Sequence, residues 1–189
     1  MSETENRLED VTVGIFLAPA GTEEVEFIES KQAVADAGAA VEVLGVDREA
    51  GQTVNDDLEG SESYEVDRSF DDVSAEEFDG LIVPGGTVGA DKLRADEDAV
   101  ALLREHIEAG NPAGAICHGP WTLVEADVVE GRTLTSYPSL RTDVENAGGE
   151  WVDEEVVVDD GLVTSRNPDD LEAFCAAIVE EFAAGPDDG

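Results

Sequence analysis

The sequence predicts an α/β protein, a single-domain three-layer α/β/α sandwich with a mostly parallel central sheet. Three observations carry that prediction. Apolar runs of strand length recur at 11–18, 40–45, 80–83 and 112–116, and segments with helical spacing separate most of them. The runs end at Gly- or Pro-containing turns, and strands alternating with helices lie parallel and are covered on both faces. The chain has 189 residues, enough for one well-packed domain, and no linker-like run divides it.

Taken in order, VTVGIFLA at 11–18 is the first strand. Val25, Ile28, Ala33, Val34 and Ala37 then repeat at helical spacing, and Gly38 closes that helix. AVEVLG at 40–45 completes a strand-helix-strand unit. Residues 51–75 are more polar and read as a hairpin-like excursion carrying Val54, Tyr64 and Val66. GLIVPGG at 80–86 is a buried strand ending in a tight turn, and Val100, Leu102, Leu103 and Ile107 mark a helix that stops at Gly110. Residues 112–116 form the next strand, and Pro120 is allowed in the first turn of the helix after it. Residues 155–165 read as a hairpin turning at Asp160-Gly161. Leu171, Phe174, Cys175, Ile178, Val179 and Phe182 line one face of a closing helix, with Cys175 expected in the core. The domain spans 11–184, between an acidic extension at 1–10 and an acidic tail at 185–189.

Forty-seven acidic residues against 10 basic ones give a net charge of −37. Such a surface repels nucleic acid and anionic membranes. The acids are spread over nearly every surface segment, and the only lysines are Lys31 and Lys92, a pattern of solvent adaptation. A salt-accumulating halophile is the expected source, because molar salt quenches the self-repulsion. The acidic start of the chain is unlike a secretory leader, so a soluble, cytoplasmic protein is expected. Two cysteines far apart form neither a disulfide nor a zinc framework, and no metal or cofactor is expected.

Ligands of open parallel sheets bind outside the carboxyl ends of the strands. Three segments are expected at that edge: 19–26, 84–89 and 117–120. AICHG at 115–119 has the pattern of a nucleophile elbow, with Cys117 in place of serine and His118 beside it as a base. A helix N-terminus at that point favours thiolate over thiol. Taken alone, the pattern equally describes an inert core thiol. The Gly85-Gly86 turn offers amides to an oxyanion, or is a plain turn. The acids of GTEEVE at 21–26 either point a carboxylate at the thiol or only suit a helix N-terminus.

Together, EEVEF, FDGLIVPGG, NPAGAICHGP, TSYPSLRTDVENAGGEWVDEEVVVDDGLVTSR and NPDDLEAF resemble, in order and spacing, the PfpI-like intracellular protease and deglycase family. That family lies within the ThiJ/PfpI superfamily, whose fold is flavodoxin-like and class I glutamine amidotransferase-like. The resemblance implies Cys117 as nucleophile, His118 as its adjacent histidine, Glu26 bonding the sulfur and Glu23 as a second acid in the pocket wall. It implies an oxyanion hole from Gly86 and the His118 amide, and Tyr137 near the pocket. A family glutamate that orients the histidine across a subunit interface corresponds here to Asp91, one methylene shorter and after a one-residue insertion. Homo-oligomers (dimer, trimer or hexamer) with the site near an interface are implied too. The histidine of related glutaminase domains is absent, because the comparable stretch reads Arg166-Asn-Pro-Asp169. His106, the other histidine, is expected to pack or lie at the surface. The implied activity is cysteine-dependent hydrolysis of peptides or dicarbonyl adducts in stress protection. The alternative is a redox sensor or chaperone-like protein that uses Cys117 oxidation.

Overall fold

The computed structural model describes residues 6–186. The outer parts of the acidic extension and tail, residues 1–5 and 187–189, lie outside the described residues. Chain order is β1 (Thr12–Leu17), β2 (Ala20–Glu23), α1 (Glu24–Asp36), β3 (Ala40–Gly45), β4 (Gly51–Asn55), β5 (Glu59–Tyr64) and β6 (Arg68–Ser69). There follow β7 (Gly80–Val83), α2 (Thr87–Arg94), α3 (Glu97–Glu108), β8 (Ala113–Ile116), α4 (Pro120–Glu125), β9 (Thr133–Leu134) and α5 (Arg141–Asn146). The chain closes with β10 (Glu150–Trp151), β11 (Val157–Asp159), β12 (Leu162–Ser165) and α6 (Leu171–Ala184).

Among the described residues, the central sheet runs β11-β12-β8-β7-β1-β3-β6. Its pairs are parallel except β11 with β12, the hairpin turning at Asp160-Gly161. Side chains alternate across β1, so the two cores separate cleanly. Val13, Ile15 and Leu17 join Phe27 and Val34 of α1 and Phe174, Ile178 and Phe182 of α6 on one face. Phe16 joins Leu93 of α2 and Leu103 and Ile107 of α3 on the other. This is the three-layer sandwich that the alternation predicts. Leu8, within the 1–10 extension, is fully buried and its amide donates to the Ala37 carbonyl at 2.8 Å.

Three features differ from the sequence expectation. The chain does not pass from β1 straight into a helix; β2 first pairs with β4, and β4 with β5, in a small separate sheet. Residues 87–94, to which the sequence reading assigns no element, are α2, whose Gly89 lets it lie close on β2. Cys175 is half-buried rather than core, because it sits at the margin of the apolar stripe of α6, with its thiol 3.7 Å from the Glu29 carbonyl of α1. No helix among the described residues is long and apolar enough to cross a membrane.

Candidate active site

β1, β7 and β8 are neighbours in the central sheet, so the segments leaving their carboxyl ends meet. β8 ends at Ile116 and α4 begins at Pro120, leaving three residues for the reversal. Cys117 accordingly takes φ 62°, the left-handed region that a non-glycine residue adopts at a cost of about 1–3 kcal/mol. Its neighbours hold it there. The Cys117 amide donates to the Ser165 carbonyl at 3.0 Å, and its carbonyl accepts from the Tyr137 amide at 2.8 Å. Gly119 is required because a Cβ there would strike the Val83 and Ile116 carbonyls.

His118 Nδ1 lies 3.3 Å from the Cys117 sulfur. Its ring stacks on Tyr137 with centroids 4.6 Å apart, and Trp121 meets it edge-on. Glu26, in the first turn of α1, is completely buried. Its Oε1 accepts the Gly85 amide at 2.9 Å, while Oε2 is buried without a hydrogen-bond partner among the described residues. The backbone amides of Gly86 and His118 draw the thiol's pKa down against burial.

Burial dominates the electrostatics. It pushes the Glu26 carboxyl up to about 8, against the Gly85 hydrogen bond. It pushes the Cys117 thiol far up, reinforced by the Glu26 charge and opposed by the Gly86 and His118 amides, and it lowers His118 against the pull of Asp57. At neutral pH the resting site therefore holds a carboxylic acid, a thiol and a neutral imidazole. In this resting state burial opposes the thiolate that a helix N-terminus favours. Cys117 is only 6% exposed, and α4 spans a mere six residues, so desolvation outweighs the helix N-terminus.

Glu23, at the end of β2, does not face the sulfur. Its Oε1 and Oε2 accept the Asp56 and Asp57 amides at 2.8 and 3.0 Å, so it clamps the β4–β5 turn. Asp91 is exposed on α2 and is not gathered with Cys117, His118, Glu23, Glu26, Gly86 and Tyr137 within the chain. Two residues of the site escape the sequence reading. Thr87 Oγ1 lies 3.2 Å from His118 Nε2, and Asp57 lies against Thr87. The available signals were an Asp pair between two extended segments and a hydroxyl directly after the Gly-Gly turn.

Arg166, where glutaminases carry their histidine, forms a fork with Asp170 and also binds Asp153 at 2.9 Å. It offers no base. His106 is fully buried, with Nε2 2.8 Å from the Pro112 carbonyl, a packing role. Among the described residues no group of three or more His, Cys, Asp or Glu side chains is arranged to hold a metal.

The model of the DJ-1/PfpI family matches residues 11–181. A protein/nucleic acid deglycase of Escherichia coli K12 is 48% identical over 137 residues, 72% of this chain and 78% of its own. A deglycase of Thermococcus kodakarensis is 39% identical over 171 residues, 88% of this chain and 96% of its own. Among solved structures, Drosophila melanogaster DJ-1beta superposes with a TM-score of 0.82 at 34% identity, covering 92% of this chain and 90% of its own.

Proposed function

The chain belongs to the DJ-1/PfpI family, and from that premise we propose that it is a cysteine-dependent hydrolase that removes dicarbonyl adducts, with Cys117 as nucleophile. The observation that carries the reading is the elbow itself: a sulfur held at positive φ, 3.3 Å from an imidazole nitrogen and beside a buried carboxylic acid. In the first step the thiol proton passes to His118 Nδ1 and the sulfur bonds to the electrophilic carbon. The carbonyl oxygen takes the displaced electron pair between the Gly86 and His118 amides. Protonated Glu26 faces the sulfur and can donate to it, so it favours the thiolate that an ionised Glu26 would oppose. Tyr137 forms a wall against the His118 ring, and Glu23 holds the turn above it. Asp91 enters this scheme only through a subunit contact in a homo-oligomer. The same proposal sets the enzyme in a salt-rich cytoplasm, argued from the −37 charge, where removal of carbonyl damage serves stress protection.

The test is turnover of free methylglyoxal, of a methylglyoxal-treated amine and of a casein-like peptide, all in molar KCl. Wild type is expected to turn over the adducted amine, and Cys117→Ala to lose roughly 10³-fold or more. No turnover of any substrate at any salt concentration, with peroxide converting Cys117 to its sulfinic acid in intact-mass spectra, sinks the hydrolase in favour of a redox sensor.

A further inference from the structure

We propose that Asp57, acting through the Thr87 hydroxyl, fixes the tautomer and orientation of His118, so that each chain carries its own positioning acid. The inference rests on the reading of His118 as the base for Cys117, and it adds two residues from elements remote in sequence.

The geometry is a continuous hydrogen-bonded line. Asp57 Oδ1 accepts the Thr87 amide at 2.7 Å, and Oδ2 lies 3.2 Å from Thr87 Oγ1. Thr87 Oγ1 lies 3.2 Å from His118 Nε2, and His118 Nδ1 lies 3.3 Å from the Cys117 sulfur. Proton counting gives the line a direction. A carboxylate only accepts, so the single hydroxyl proton of Thr87 goes to Asp57. The hydroxyl oxygen then accepts from His118, which places the imidazole proton on Nε2 and leaves Nδ1 as a lone pair facing the thiol. When Nδ1 takes the thiol proton, the positive charge stays on the imidazolium and is stabilised through Nε2–H and the hydroxyl by the Asp57 carboxylate. No proton leaves the line and no co-reactant is needed. The logic is that of a buried acid orienting a catalytic histidine, with a hydroxyl inserted between them.

The backbone is built to aim this acid. Asp56 and Asp57 have φ 51° and 65°, and the turn is closed by the Leu58 amide donating to the Asn55 carbonyl at 3.2 Å. Two successive left-handed residues in a hairpin turn favour Asn-Gly, so an Asp pair carries strain. The Glu23 carboxylate, accepting both amides, holds it. Glu23 thus reaches the imidazole only through Asp57 and Thr87, as the anchor of the turn. Among the described residues, Cys117, Tyr137 and Trp121 also contact the His118 ring, and none of these three is a carboxylate.

The chain has only two histidines, so protein labelled with ¹⁵N-histidine gives two resolvable imidazoles, and His118→Gln assigns them. The wild-type His118 signal is expected to be the Nε2–H tautomer. In Asp57→Asn and in Thr87→Val its titration is expected to move down by about one pH unit. Thr87→Ser, which keeps the hydroxyl, is expected to restore the wild-type titration. In turnover, Asp57→Asn and Thr87→Val are each expected to lower kcat about 10- to 100-fold with KM little changed, less than the ~10²–10⁴ a general base supplies. The double variant is expected to lose no more than either single one, since both break one line. A wild-type Nδ1–H tautomer, or an unmoved titration in both variants, overturns the proposal even if the enzyme is active. A wild type that titrates as expected but turns over no substrate defeats the hydrolase reading instead and leaves the positioning line standing.

Discussion

Glu26 is the residue on which the chemistry of this site turns, because a carboxyl buried beside a thiol can share the pair's charge but not double it. Its folded pKa, about 8, lies above the ordinary 4.5. Between those values the folded chain holds a proton that the unfolded chain has released. The stabilisation is therefore fully present below about pH 4.5 and is lost as pH rises through 8, at a limiting slope of about 1.4 kcal/mol per pH unit. Glu26→Gln removes the titration while keeping an acceptor for the Gly85 amide. Urea unfolding is expected to show the variant gaining on wild type between about pH 5 and 8, with the difference levelling off above that. Wild-type turnover is expected to fall above about pH 8, as the Glu26 carboxylate opposes the thiolate. The Gln variant, slower throughout, is expected to lack that fall, and identical alkaline limbs in the two proteins would remove Glu26 from the proposed role.

At the scale of elements, the small sheet and α2 decide how the site is assembled. The strands of the central sheet were legible because burial on both faces leaves continuous apolar runs, and Cys117-His118-Gly119 was legible because an elbow needs its residues adjacent. Asp57 and Thr87 were not legible, since their link spans 30 residues and depends on a turn conformation that no local pattern demands. Nor was α2 legible, as its face toward β2 is made of small residues that carry little hydrophobic signal. Those residues are nonetheless required. A Cβ at Gly89 would stand 2.8 Å from the Gly21 carbonyl carbon and oxygen and from the Thr22 amide, all backbone that cannot swing aside. Alanine in a helix interior normally gains roughly 0.5–1 kcal/mol over glycine. Here overpacking, at about 1–3 kcal/mol, outweighs that gain. Gly89→Ala is thus expected to lower unfolding stability in urea and, by shifting α2 with Gly86 and Thr87, to reduce turnover too. A variant more stable than wild type would show that β2 and α2 separate more easily than their contact implies.

For the whole molecule the governing quantity is charge. Even if each of the 10 basic residues paired with one acid, 37 carboxylates would have no cationic partner. Several of the pairs that form are at the surface, such as Arg48 with Asp72 and Arg141 with Glu145, where an ion pair contributes only about 0–1 kcal/mol. What remains is a general repulsion that the unfolded chain relieves by expanding. The Debye length falls from about 10 Å at 0.1 M salt to about 3 Å at 1 M, so most of that repulsion is removed over this range. The melting temperature is expected to climb between 0.1 and 2 M KCl, by about 2–4 °C for each kcal/mol recovered in a chain of this size. Salt also strengthens apolar burial through excluded-solute effects, so the rise alone does not identify its cause. Glu105 and Glu108 are exposed at the C-terminal end of α3, and converting both to lysine moves the net charge from −37 to −33. If repulsion is the cause, the double variant melts higher than wild type in dilute buffer, and its gain shrinks as KCl is added. An advantage of the same size at 0.1 and 2 M would instead point to local helix effects, and a flat wild-type profile would remove the electrostatic argument for a salt-rich setting.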